Sequence, residues 1–282
     1  EGIIDADLNV LSPRDSVMKR IEQAGLNSNQ AGYLWMDDSL GLILNKLDEL
    51  KLAHSTIVLF VADHGSGHKG SLYKAKGTEV PCIMRWPAGM KAGVRSEELI
   101  QNTDFVPTWF ELAGVKKPAA YRMDGVSLAP LFQAPHEPVR EHVYAEIGAA
   151  RSIKTKTHSY IALRYTQEQV AGVQQRQRRD IKALTGLSGG VSRSIATHPQ
   201  AYTGDQLYDL NRDPDAQNNL ANHKRHAGAL AKMKQKLAAE LTRFPARPYG
   251  EFVPGGNALD GGGYEKVFET LRRAAVDKKP KK

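Results

Sequence analysis

The sequence has a single cysteine, Cys82, among its 282 residues, which excludes an internal disulfide and a zinc cluster built on cysteines. No run reaches the roughly 18 consecutive apolar residues that a membrane-spanning helix needs, and the start lacks the basic-then-apolar pattern of a secretory signal. Zinc-finger spacing and basic stretches with interleaved aromatics are absent as well. We therefore expect no transmembrane segment and no nucleic-acid partner.

The composition is that of an ordinary soluble globular protein, with 41% hydrophobic and 25% charged residues. Its length suits one large α/β domain with a smaller companion. Basic residues outnumber acidic ones by 39 to 31, a net charge of +8, which favours polyanionic partners. Six of the basic residues lie in the last eleven positions, and we interpret that cluster as a solvated, frayed tail.

The N-terminal half predicts an α/β arrangement. Apolar residues recur every three or four positions over residues 33–50, as in an amphipathic helix. Residues 56–62 form a short, continuous, β-branched run, the pattern of a parallel strand buried on both faces, and residues 80–86 form a second apolar run. Thr103 and Asp104 are candidate N-cap residues for a helix that runs through Val106 to Leu112, with Gly114 as its stop. The order helix, strand, loop, strand, helix predicts a doubly wound α/β sheet.

The character of the chain changes near residue 141. Short apolar segments at 143–146, 160–163 and 206–209 are typical of an antiparallel sheet. A helix is predicted from about residue 221 to 244, with an apolar stripe along one side. Glycine pairs and triplets then lead into the basic tail.

The segment from Asp63 to Tyr73 carries the chemistry. Asp63 and His64 follow the first predicted strand directly, and ligands of doubly wound sheets bind beyond the carboxyl ends of the strands. A carboxylate there suits a hard cation, and Lys69 could supply a point charge for a tetrahedral anion such as sulfate or phosphate. Taken alone, the segment is also consistent with a strand-ending Asp that caps its loop and a solvated lysine.

The longer pattern resembles the type I, formylglycine-dependent sulfatases of the alkaline phosphatase superfamily, over most of the chain. The matching segments are the helix motif Tyr33-Leu34 with Asp37, Ala62-Asp63-His64-Gly65, Lys69 with Tyr73 four residues on, Val80-Pro81-Cys82-Ile83, Asp104 with Pro107-Thr108, Asp124-Gly125-Val126-Ser127-Leu128, and Leu207-Tyr208-Asp209-Leu210 with Asp213-Pro214 and Asn219-Leu220.

The resemblance implies a fold and its division. Residues 1–140 would be the C-terminal part of a catalytic α/β domain with an alkaline-phosphatase-like, doubly wound sheet. Residues 141–250 would be a smaller α+β subdomain, an antiparallel sheet plus a helix. Residues 251–282 would be a glycine-rich linker and basic tail.

The resemblance also implies the site. Asp63 and His64 would be ligands of one catalytic Ca²⁺ ion, Lys69 would hold the substrate's sulfate, and His68 would contact the substrate. His64 stands where many relatives carry Asn, and an imidazole is a less natural ligand for calcium than an amide oxygen. A solvated loop histidine is the alternative for His68.

The sequence departs from the family at the nucleophile. The Cys/Ser-x-Pro/Ala-x-Arg pentapeptide that yields formylglycine is absent. Cys82 lies in a predicted core strand, and Asp37-Asp38 lies within a predicted helix, so both are interpreted as structural. We therefore expect the chain to be the C-terminal part of a longer enzyme and to be inactive alone. The missing N-terminal part would supply the formylglycine and the remaining acidic calcium ligands.

The predicted activity is that of a sulfuric ester hydrolase acting on a sulfate monoester of a carbohydrate or an aryl compound. One alternative is a phosphoester or phosphonate monoester hydrolase of the same superfamily. Another is a catalytically silent protein that binds sulfated glycans through Lys69, Lys74, Lys76 and the tail. The expected partner is a sulfated small molecule or polysaccharide, and the family resemblance favours a periplasmic or secreted protein.

Overall fold

A computed structural model of the chain describes residues 11–64, 72–73, 77–175, 198, 200, 203–244, 247, 249–254 and 259. It divides into two compact units, Glu1–Phe60 with Ile83–Val94, and Val61–Cys82 with Arg95–Lys282. In these described ranges, no helix has both the length and the apolar character that crossing a bilayer requires. The boundaries near residues 140 and 250 stay predictions.

The first unit contains two helices, α1 (Arg14–Gln23) and α2 (Ala31–Glu49). The guanidinium of Arg20 on α1 donates two hydrogen bonds, of 2.7 and 3.0 Å, to the carboxylate of Asp38 on α2. The hydrogen bond from Arg20 lowers the pKa of Asp38. Asp38 therefore has the structural role predicted for it, and α2 confirms the predicted helix.

Two strands follow, β1 (Val58–Val61) and β2 (Cys82–Arg85), and they are neighbours in a two-stranded sheet. The prediction of two strands here is confirmed. The prediction that they are fully buried is wrong, because β1 is half-buried and Cys82 and Ile83 on β2 are exposed. Hydrophobicity is a property of the sequence, whereas burial depends on which elements cover the sheet. No third strand joins this sheet among the described residues.

Helix α3 (Phe105–Leu112) begins after a 3-10 turn, Asn102–Asp104, and a short helix α4 (Ala129–Gln133) follows. The prediction that Asp104 caps α3 is wrong, because Asp104 already has helical backbone angles and makes no capping bond to α3. Its fully buried carboxylate instead accepts the backbone N–H groups of Gln101, at 2.7 Å, and Val126, at 3.0 Å. The guanidinium of Arg140 completes this set of donors.

The C-terminal sheet is antiparallel, with strand order β3 (Val143–Ile147), β4 (Ala150–Lys154), β5 (His158–Leu163), β6 (Asp205–Asp209). Three of these strands were predicted, and β4 was missed because Ala-Arg-Ser-Ile-Lys contains no apolar run. Helix α5 (Gln167–Gln174) follows β5.

Each face of this sheet has its own core. Helix α6 (Ala227–Leu241) confirms the predicted C-terminal helix and covers one face with its apolar stripe. The buried cluster on that face comprises Ile153, Tyr160, Ala162, Leu207, Met233, Leu237, Leu241 and Tyr249. Successive strand residues point to opposite faces, so the other face carries a second cluster, which comprises Leu72, Tyr73, Ala149, Ala150, Ile161, Leu163, Tyr165, Tyr208 and Ala216.

Candidate functional site

Asp63 lies one residue beyond the end of the two-stranded sheet. The backbone N–H of Ala62 still donates to the carbonyl of Pro81, at 3.3 Å, and the chain then leaves β1. The side chain of Asp63 is 84% exposed, and its Oδ2 lies 3.3 Å from Nε2 of His64, whose side chain is 37% exposed. The carboxylate and the imidazole therefore share one open position at the carboxyl end of β1, as predicted.

These two residues form only part of a cation site. A carboxylate oxygen is the donor that Ca²⁺ prefers, with six to eight oxygens around the ion. The described part of the chain contains no cluster of three or more His, Cys, Asp or Glu residues that could hold a metal. Asp63 thus fits a calcium ion as one ligand of a larger set, and the imidazole of His64 fits it less well.

The other predicted site residues, His68 and Lys69, lie outside the described residues, as do Lys74 and Lys76.

Tyr73 is described, and it contacts the C-terminal sheet on the face opposite α6. The ring is 6% exposed, and the hydroxyl donates to Oε1 of Gln206 at 2.5 Å, 133 residues further along the chain. Leu72 is equally buried in the same cluster. The sequence singled out Tyr73 by its spacing from Lys69 alone, and nothing near it in sequence indicated Gln206 as its partner.

Gln206 is fully buried, and both polar atoms of its side-chain amide have hydrogen-bond partners. Its Nε2 donates to the carbonyl of Thr203 at 3.1 Å, which fixes the direction of the amide. Its Oε1 therefore faces the two tyrosines, because the hydroxyl of Tyr208 donates to it at 2.9 Å. The ring of His198 stacks on Tyr73, with centroids 3.8 Å apart. Burial raises the pKa of the Tyr73 hydroxyl well above its ordinary value, so it stays a donor at neutral pH.

Two further motif segments, Asp104 to Thr108 and Asp124 to Leu128, turn out to be structural partners. Thr108 Oγ1 accepts the backbone N–H of Leu128 at 2.8 Å, as Asp104 accepts that of Val126. A Cβ at Gly125 would collide with the carbonyl of Thr103 and lie 2.7 Å from the amide nitrogen of Asp104. These motifs hold two backbone segments together, and we do not assign them a role in catalysis or ligand binding.

The Asn219 motif likewise serves the sheet. Its Oδ1 accepts the backbone N–H of Leu207 and of Ala221, both at 2.9 Å, and its Nδ2 donates to the carbonyl of Asp205 at 3.0 Å. It therefore fixes β6 against the segment that leads to α6.

A surface cavity of about 570 Å³ lies beside α3 and contains none of the predicted site residues. Its rim mixes charges of both signs, including Lys117, Arg122, Glu111 and Asp124. Such a rim gives no clear preference for an anion.

Comparison with known proteins agrees with the motifs. The sequence model of the family described as Sulfatase matches residues 13–115. An ulvan-active sulfatase of Formosa agariphila is 31% identical over 206 residues, which are 70% of this chain and 38% of that protein. Human steryl-sulfatase is 34% identical over 140 residues, 41% of this chain and 24% of that protein.

The fold also has solved counterparts. A structure described as a complex with its substrate D-glucosamine-2-N,6-O-disulfate superposes with a TM-score of 0.57 at 22% identity. The match covers 78% of this chain and 41% of that one. It confirms the predicted fold class, an alkaline-phosphatase-like α/β fold. This chain spans less than half the length of each of these three proteins. The chain belongs to the sulfatase family, within the alkaline phosphatase superfamily.

Proposed function

We propose that this protein is a sulfuric ester hydrolase that releases inorganic sulfate from a sulfate monoester. The observation that carries the proposal is the exposed carboxylate of Asp63 beside His64 at the carboxyl end of β1. Both residues lie inside the segment that matches the Sulfatase model. Ligands of open α/β sheets bind at this end of the strands.

A sulfated carbohydrate is the substrate class we propose. The Formosa relative is named for its activity on ulvan, and the solved counterpart holds a disulfated glucosamine. The net charge of +8 favours a polyanionic substrate as well. Human steryl-sulfatase is named for a steryl sulfate. An aryl sulfate, the other class predicted from the sequence, is the second class to assay. A periplasmic or extracellular location, where such polymers are met, is part of the same proposal.

In this proposal Asp63 and His64 are two ligands of one Ca²⁺ ion. Asp63 supplies the oxygen that the ion prefers, and acidic side chains elsewhere in the protein supply the rest. The ion, when bound, polarises the sulfate oxygens as a Lewis acid. The task of Asp63 is to fix the position of the site relative to β1, because it follows the strand by a single residue, Ala62.

Lys69 binds and orients the sulfate group, and His68 contacts the substrate beside it. The compact ammonium of lysine suits a tetrahedral anion as a point charge. The 282 residues lack a Cys/Ser-x-Pro/Ala-x-Arg pentapeptide. We therefore propose that a formylglycine in another part of the same protein supplies the nucleophile.

The test compares two esters that share one leaving group, p-nitrophenolate, and differ only in carrying sulfate or phosphate. The full-length protein is assayed with p-nitrophenyl sulfate and p-nitrophenyl phosphate, and with sulfated and desulfated oligosaccharides, by ion chromatography of the released anion. We expect sulfate release from the sulfated compounds and much slower release of phosphate. Faster phosphate release would instead favour a phosphoester hydrolase, and binding of the sulfated oligosaccharide without turnover would favour a silent glycan-binding protein.

A further inference from the structure

Helix α6 belongs to a basic segment that carries no acidic residue. Positions 216–239 contain five lysine and arginine residues and no aspartate or glutamate. Three of these cations, Lys224, Arg225 and Lys232, are exposed and have neither a hydrogen bond nor an ion pair within the described part of the chain. Their charges are therefore open to a partner in solution, and we call these three residues the α6 basic patch.

The other two cations of the segment have partners inside the fold. Lys234 pairs with Asp205 at the start of β6, and Lys236 pairs with Glu141 ahead of β3, each at 2.5 Å. These two lysines therefore connect α6 to its surroundings. The described residues provide no such structural task for the α6 basic patch.

The patch lies along one side of the start of the helix. Arg225 belongs to the 3-10 turn Lys224–His226, which leads directly into α6. Lys232 follows Arg225 by seven residues, or two helical turns, so the two side chains share a side of the helix at about 10 Å along its axis. The first turn of α6 contains no acidic residue, so nothing there compensates these positive charges.

We propose that the α6 basic patch binds sulfate groups of a polysaccharide other than the one that is hydrolysed. Cations two helical turns apart can pair with two sulfate groups of one polymer chain at the same time. The patch lies beyond residues 13–115, which match the Sulfatase model, so the family match assigns it no role. The inference rests on the proposed function, because it concerns how the same enzyme holds a sulfated polymer.

Two other kinds of polyanion fit the patch less well. Positions 216–239 contain no Phe, Trp or Tyr, so the segment offers no ring on which a nucleic-acid base could stack. The large apolar side chains of α6 are buried or half-buried against the sheet, so no apolar face is left to enter a membrane surface. Sulfate groups require only cationic donors, which the patch supplies.

Binding of dextran sulfate to the full-length protein tests the patch without any turnover. The patch variant Lys224→Ala/Arg225→Ala/Lys232→Ala should raise the Kd about 10-fold at low salt, because three exposed ion pairs are lost. The difference should shrink as added salt screens the charges.

A matched control removes the same net charge elsewhere. Lys19, Lys91 and Lys116 are exposed and also have no ion pair in the described ranges. Their triple alanine variant should raise the Kd less than about 2-fold, because charges far from the bound polymer are screened. Equal losses of affinity in the two triple variants would mean that only net charge matters, and the inference would be wrong.

A charge-conserving variant separates charge from packing. Lys224→Arg/Arg225→Lys/Lys232→Arg keeps all three positive charges and should bind dextran sulfate like wild type. A loss of affinity as large as that of the alanine variant would contradict an electrostatic patch.

Turnover then distinguishes this patch from the reaction centre. The alanine variant of the patch should raise KM for a sulfated polysaccharide about 10-fold with kcat unchanged, and should leave kcat/KM for p-nitrophenyl sulfate unchanged. An equal loss with both substrates would overturn the inference, as would tighter patch-dependent binding of single-stranded DNA or of phosphatidylserine vesicles than of dextran sulfate. A wild-type protein that releases no sulfate would contradict the proposed function, while the binding experiment would still decide the role of the patch.

Discussion

Asp63 and Lys69 place different demands on the residues around them. A metal ligand must be fixed relative to the rest of its coordination set, and Asp63 follows a hydrogen-bonded strand by one residue. Lys69, the proposed sulfate-binding residue, lies outside the described residues, between His64 and the buried pair Leu72 and Tyr73. The consequences of substitution should differ accordingly.

Lys69→Ala in the full-length protein should lower kcat by on the order of 100-fold, because one preorganised donor to the reacting group is lost. Lys69→Arg should rescue poorly, since a planar guanidinium does not reproduce a compact charge. Steady-state kinetics of Lys69→Ala, Lys74→Ala and Lys76→Ala on one sulfate ester provide the measurement. Equal effects of all three substitutions would show that Lys69 acts only as one of several surface charges.

The residues of this site were predictable to different degrees. The position of Asp63 and His64 just after β1 could be predicted because the abrupt end of a β-branched run is a local signal; their role as ligands stays a prediction. The pairing of Tyr73 with Gln206 could not, since the two residues are 133 positions apart. Burial of Cys82 was predicted wrongly because it depends on the elements that cover β2.

At the scale of elements, α3 and the segment that leads to α4 depend on one glycine. Gly125→Ala should lower the free energy of unfolding by about 2 kcal/mol or more, because the new Cβ would strike backbone that has no freedom to move. Gly228→Ala, on α6 with open space around it, should instead be neutral or stabilising by about 0.5–1 kcal/mol. Urea unfolding of both variants compares them, and equal stabilities would contradict the close approach.

A buried arginine ties β5, β6 and the segment after α6 together. The side chain of Arg164 is fully buried and donates to Glu251, at 2.8 and 2.5 Å, and to Asp205, at 2.8 Å. Lys234 on α6 also pairs with Asp205, at 2.5 Å. Burial alone would raise the pKa of both carboxyl groups. Hydrogen bonds from Lys234 and Arg164 outweigh it at Asp205, and hydrogen bonds from Arg164 and from the backbone of Glu251 outweigh it at Glu251, so each pKa stays below its ordinary value.

Arg164→Met should therefore destabilise the protein by about 2 kcal/mol at neutral pH, since it leaves the partly buried carboxylate of Asp205 and the more exposed one of Glu251 short of a partner. Both carboxyl groups have a lower pKa in the folded state, so the unfolded state binds more protons in acid. The contribution of Arg164 is present above about pH 4 and is lost as the pH falls through the folded-state pKa values. Urea unfolding at pH 7 and pH 3.5 should show the difference between variant and wild type shrinking.

Arg95→Met is the control for this cluster. Its ion pair with Glu97 is exposed on both sides, so its loss should cost less than about 1 kcal/mol. An Arg164→Met variant no less stable than Arg95→Met would show that the buried cluster does not hold these elements together.

Much of the element structure could be predicted from periodicity, including α2, β1, α3 and α6, because each has a clear apolar pattern over its own length. Strand β4 could not be predicted in this way. Both faces of the sheet are covered at β4, so its polar residues are buried or half-buried although their sequence pattern is that of a solvent-exposed segment. Asp104 was assigned the wrong hydrogen bonds because its partner Val126 lies 22 residues away.

At the scale of the whole molecule, the chain spans 38% of the Formosa relative, and the described residues supply only part of a cation site. We predict that the 282-residue chain alone does not turn over an aryl sulfate. Lysine and calcium ligands without a nucleophile leave only a small residual rate. Steady turnover by the pure chain, abolished by Lys69→Ala, would contradict this prediction.

The central claim is that the carboxylate after β1 holds the cation on which sulfate ester hydrolysis depends. Its most direct test is calcium content by metal analysis, measured together with sulfate release, for full-length wild type, Asp63→Ala and Asp48→Ala. Asp48 is an exposed carboxylate on α2 and serves as the control. The account predicts that Asp63→Ala loses calcium and turnover together while Asp48→Ala keeps both. An Asp63→Ala protein with full calcium content and undiminished sulfate release would contradict it.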